Sequence, residues 1–98
     1  MRLSTSEIIK IKTAIDKFAS SYSLYLHGSR INDNLKGGDI DLFLIIPDDQ
    51  FNHLVSKKHY LESEISLALC DQRIDLLLIS KSEKEGNSFF ADSDKIEL

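Results

Sequence analysis

This chain of 98 residues has one cysteine, no tryptophan and no excess of basic side chains, with 12 Lys plus Arg against 16 Asp plus Glu. A single thiol, Cys70, forms no internal disulfide, so nothing but packing is available to hold the fold. The net charge is -4, and no basic stripe with interleaved aromatics runs along the chain. Long nucleic acid is therefore a poor candidate ligand, because phosphate neutralisation supplies most of such binding. Long apolar runs are missing as well. Leu42 to Ile46 is the longest, far short of the roughly 20 residues that cross a bilayer, and MRLSTSEIIK has no secretion-signal core. The expected compartment is the cytoplasm, with no membrane anchor. There are no repeats or low-complexity segments, and the length has room for one domain, residues 1–98, with one core. Were a chain this short to act as an enzyme, it would either catalyse on a bare platform or draw part of its substrate site from a second copy or a separate chain, and a partner is expected.

Ser4 and Glu7 form a capping-box pattern, and Ile8, Ile11, Ala14, Ile15 and Phe18 recur at helical spacing, which predicts a helix over about 4–19. Leu24 to Leu26 reads as a strand running into a His27-Gly28-Ser29 turn, where Ser29 can cap a following turn or short helix. After Gly37-Gly38, Asp39 to Ile46 reads as the most apolar strand, stopped by Pro47, with Asp48 or Asp49 placed to cap the next helix. A single helix over about 50–69 fits next. Phe51, Leu54, Val55, Leu61, Ile65, Ala68 and Leu69 form its apolar face, and Lys57, Lys58, Glu62 and Glu64 lie outside it. Arg73 to Ile79 gives a third strand, Phe89-Phe90 a helical turn, and Lys95 to Leu98 a short edge strand. The order predicts an α/β fold, a small mixed sheet of three to four strands covered by helices.

Aspartate is depleted from strands, yet Asp39 and Asp41 open the strongest one, separated by Ile40. Alternation puts both carboxylates on one face, with Cα atoms roughly 6 to 7 Å apart, where they can grip one divalent cation or two neighbouring ones. Asp75 stands near the start of another apolar run, and a buried carboxylate there would need a cation, donors or a metal. If the two strands are neighbours, Asp75 can join the pair. Gly28-Ser29, a glycine turn opening a helix, suits close approach to a phosphate, although the dipeptide alone is a weak signal.

The combination of Gly28-Ser29-Arg30, then Asp39-Ile40-Asp41 after eight intervening residues, and Arg73-Ile74-Asp75-Leu76 downstream closely resembles the DNA polymerase beta-like nucleotidyltransferase superfamily. The likeness is to its bacterial minimal nucleotidyltransferases in particular and spans almost the whole chain. It implies the palm-like fold of that family, triphosphate contacts at Gly28 and Ser29, two magnesium ions on Asp39 and Asp41, and metal or base duty for Asp75. Arg30 is a phosphate contact or an ion-pair partner with equal weight. Lys36-Gly37-Gly38 replaces the Pro or Ser that such proteins often carry before the first aspartate, which touches the loop and not the carboxylates. The resemblance further implies a two-metal transfer of a nucleotide, AMP from ATP, to an acceptor hydroxyl. The acceptor it implies is a HEPN-type helical partner, with this chain as the antitoxin of a toxin-antitoxin pair. Two rival readings are a non-catalytic antitoxin that acts by contact alone and a small-molecule, aminoglycoside-type nucleotidyltransferase. A homo-oligomer is also compatible.

The remaining polar residues read more plainly. His27 is expected to be a strand residue with a satisfied ring, His53 and His59 lack metal spacing, Lys57-Lys58-His59 reads as a solvated helix face, and Cys70 as a buried inert thiol.

Overall fold

Helix α1 (Thr5–Asp16) begins where the sequence signals it, because the Ser4 hydroxyl accepts the Glu7 N–H at 3.1 Å while the Glu7 carboxylate accepts the Ser4 N–H at 2.9 Å. The computed structural model describes residues 3–27 and 40–98. Among them, α1 is followed by β1 (Ser23–His27), β2 (Ile40–Ile46), α2 (Asp48–Ser56), α3 (Lys58–Ala68), β3 (Ile74–Ser80), α4 (Ser88–Asp92) and β4 (Lys95–Glu97).

The four strands form one mixed sheet in the order β3-β2-β1-β4. β2 runs parallel to β3 and antiparallel to β1, and β4 pairs antiparallel with β1. The central place of β2 explains its composition: a strand covered on both sides reads as continuous Ile, Leu and Phe. All of its residues are buried except Asp41.

Strand alternation divides the core in two. Leu24, Leu26, Ile40, Leu42, Leu44, Ile46 and Leu76 face a helical layer, where Ile11, Ala14 and Ile15 of α1, Leu54 of α2, and Leu61 and Ile65 of α3 bury against them. The opposite face has a smaller cluster, Phe43, Ile45 and Ile79 with Tyr25 alongside, covered by Phe90 of α4. Short α4 shields only part of that face.

The structure corrects several expectations. The single helix over 50–69 is two, because Lys57 adopts φ -107, ψ 8 between α2 and α3 and turns the chain. Val55, at the end of α2 and expected on the apolar face, is 48% exposed. Neither Asp48 nor Asp49 caps α2; Pro47 holds the N-cap position without a side-chain bond. The Asp48 carboxylate accepts the Ser82 N–H at 3.0 Å instead, tying α2 to the turn after β3. That bond holds the Asp48 pKa below the usual carboxylate value. Cys70 is exposed rather than buried, since it sits past the end of α3 in a left-handed conformation with φ 58.

No helix among the described residues is long and apolar enough to cross a membrane.

Candidate functional site

Asp41 and Asp75 are register partners on adjacent parallel strands, each one residue inside its strand's first position. Parallel neighbours lie about 4.8 Å apart, so the two carboxylates leave the sheet side by side. The face is fixed by their neighbours. Ile40 and Leu42, which flank Asp41, and Leu76 after Asp75 bury into the helical layer, which turns both aspartates to the opposite face. There, α4 covers Phe43, Ile45 and Ile79 further along the strands but not the carboxylate end. Asp75 is exposed and Asp41 partly so. The expectation that Asp75 is a buried charge in need of compensation is thus overturned: it stands on the open part of the sheet face.

The two carboxylates line a cleft of about 260 Å³. Its other walls come from distant parts of the chain. His27, at the end of β1, is the antiparallel register partner of Asp41, and its ring lies 4.7 Å from Phe43 and 5.4 Å from Phe89 between centroids. Lys58, the first residue of α3, reaches the same cleft and has no ion-pair partner among the described residues. A cation, two acids and an aromatic wall thus share one hollow. A larger hollow of about 490 Å³ on α3 is lined by His59, Glu62 and Arg73. It brings no pair of carboxylates together, and the Glu62 carboxylate there is already engaged, accepting the Leu76 N–H at 3.0 Å on the outer edge of β3.

Asp39, Gly28, Ser29 and Arg30 lie outside the described residues. The structure therefore brings Asp41 and Asp75 together, and nothing in it bears on the other four. Among the described residues no group of three His, Cys, Asp or Glu side chains gathers as a metal site; the candidate third carboxylate, Asp39, is not one of them.

A family model described as a nucleotidyltransferase domain matches residues 8–97. The chain belongs to the nucleotidyltransferase-domain family. The fold agrees, a mixed sheet of four strands with helices packed over one face. No curated protein matches the chain. Among solved structures, it is similar to a proposed nucleotidyltransferase from Sulfolobus solfataricus, with 20% identity over 94% of this chain and 81% of that one, at a TM-score of 0.48.

Three residues that line the cleft beside Asp41 and Asp75, namely His27, Lys58 and Phe89, are less plain in the sequence than the aspartates. His27 had a legible signal: an antiparallel β1-β2 pair sets the end of the first strand against the start of the second. Lys58 was placed on a solvated face because the turn at Lys57 was not foreseen. Phe89 had no local signal, since its position depends on α4 folding back over β1 and β2.

Proposed function

We propose that this nucleotidyltransferase domain transfers a nucleotide, AMP from ATP, to an acceptor hydroxyl with magnesium bound at Asp41 and Asp75. The in-register pairing of these two aspartates on the open face of the sheet is the observation that supports it. Two carboxylate donors from adjacent strands fit a hard divalent cation. Asp39 completes the set if it follows the alternation that its sequence position implies. Magnesium bound there would supply electrostatic neutralisation of the triphosphate.

The chain's own groups have definite tasks in the transfer. The acceptor oxygen bonds to the α-phosphorus as the bond to the bridging α–β oxygen breaks, and pyrophosphate leaves. The Asp75 carboxylate, exposed at the cleft, takes the acceptor's proton. The Lys58 ammonium attracts the phosphate chain as a point charge. Gly28, Ser29 and Arg30 follow β1 directly and are assigned the triphosphate on the family resemblance.

The acceptor we propose is a hydroxyl of a HEPN-type helical protein, with this chain as its antitoxin in the cytoplasm. Incubation with each α-phosphate-labelled nucleoside triphosphate, magnesium and the helical partner tests the proposal. Label on the partner, strongest from ATP, is the expected result. Neutralisation of the partner with no label from any nucleotide would favour the contact-only antitoxin.

A further inference from the structure

Phe89 is 56% exposed although it lines the cleft that contains Asp41 and Asp75. Its neighbour shows why it stands there. Phe90 is buried, with ring centroids 5.2 Å from both Tyr25 and Phe43. Its N–H is capped by the Asn87 side chain at 2.9 Å, and its carbonyl accepts the Lys95 ammonium at 2.6 Å. With α4 pinned through Phe90, the adjacent Phe89 is held at the cleft. Its ring lies 5.4 Å from His27 and 5.7 Å from Phe43, near-perpendicular to both at 74° and 75°. Edge-to-face contacts fix the ring without covering it, and an aromatic surface kept open beside charged groups is suited to a planar ligand.

The cleft has a direction. Across the sheet, Asp75 lies on β3, Asp41 on β2 and His27 on β1, so the aromatic wall starts about one strand spacing, ~4.8 Å, from the nearer carboxylate. A nucleoside triphosphate has the same order of parts: a reacting phosphorus, a ribose, then a planar base. We infer that Phe89, backed by Phe43 and His27, stacks on the base of the bound nucleotide. This rests on the proposed transfer at Asp41 and Asp75. The base is favoured over an aromatic acceptor because the acceptor's hydroxyl must reach the α-phosphorus at the carboxylates, whereas the base is the part held one sugar away. Stacking tolerates any base, since each has a π-face. Phe89 therefore imposes a need for a base without choosing among bases.

The chain has no tryptophan, so Phe89→Trp installs a single fluorescent reporter in the cleft. With magnesium present, ATP and GTP should both quench it, and inorganic tripolyphosphate should not. In parallel, Phe89→Ala should raise the Kd for ATP by about tenfold, within the range known for one stacked base. Its Kd for tripolyphosphate should stay at the wild-type value, and its Tm close to wild type because the ring is exposed. An unchanged ATP Kd in Phe89→Ala, or equal losses for ATP and tripolyphosphate, overturns the stacking role while leaving the transfer intact. A defect confined to the acceptor's KM also overturns it, by assigning the ring to the acceptor. If wild-type protein binds neither ATP nor tripolyphosphate, the transfer reading itself fails, and stacking with it.

Discussion

Lys58 brings an ammonium into the same cleft as two carboxylates without forming an ion pair with a described residue. A charge so placed is best matched by an anion that arrives with the substrate. Lys58→Ala should raise the KM for triphosphate by about tenfold, the scale of one charge-assisted contact, and Lys58→Arg should restore part of it. Steady-state kinetics over a range of ATP concentrations checks this. Tyr22 shows a different effect of environment at the single-residue scale. Its hydroxyl donates to the Asp16 carboxylate at 2.8 Å. Partial burial, then the bond to Asp16 and its charge, push the Tyr22 pKa up from 10.0 to about 12. The folded state thus holds this proton more tightly than the unfolded chain does. The contribution to stability is complete below pH 10.0 and is lost between there and about 12. Thermal unfolding followed from pH 9 to 12 should show that loss in the wild type and a smaller one in Tyr22→Phe.

At the scale of elements, the end of α3 shows a side chain in a place usually taken by glycine. The Asp71 N–H donates to the Ser66 carbonyl at 2.9 Å and the Cys70 N–H to the Leu67 carbonyl at 3.3 Å, the paired bonds of a Schellman turn. Cys70 and Asp71 both take positive φ, 58 and 65. Aspartate tolerates that region; cysteine has no local polar bond to offset the cost. Cys70→Gly should therefore raise stability by about 0.5 to 1 kcal/mol, read as a higher denaturation midpoint with an unchanged m-value. Legibility varied among the elements for identifiable reasons. The start of α1 was plain because Ser4 and Glu7 act over three residues, and β2 was plain because its apolar run is interrupted by Asp41 alone. The break at Lys57 was hidden: no glycine or proline marks it, and the apolar spacing of Leu54, Leu61 and Ile65 fits one continuous helix as well as two. The cap expected of Asp48 failed because the carboxylate found the Ser82 N–H, 34 residues away, instead of its own helix.

For the whole molecule, the decisive feature is unequal covering of the sheet. Three helices seal one face, while α4 seals only the half of the other that holds Phe43, Ile45 and Ile79. Among the described residues, no helix covers the carboxylate half. The aspartates of this site were legible in the sequence because their alternation with Ile40, Leu42, Ile74 and Leu76 is local. Their companions His27, Lys58 and Phe89 were less so, because they arrive through pairings and turns that link distant segments. The phosphate turn, Gly28-Ser29-Arg30, and Asp39 remain readings of the sequence. The exposure of Asp75 is useful here, since a substitution at an exposed site changes stability by only about 0.5 kcal/mol or less, so activity and folding can be separated.

The role of Asp75 is tested most directly by the transfer rate of Asp75→Asn, measured with α-phosphate-labelled ATP, magnesium and the acceptor protein alongside the wild type. The expected result is an unfolding curve close to that of the wild type and a rate lower by at least about 100-fold, as follows when several kcal/mol of charge stabilisation is removed. A folded Asp75→Asn protein that transfers label at the wild-type rate would contradict it.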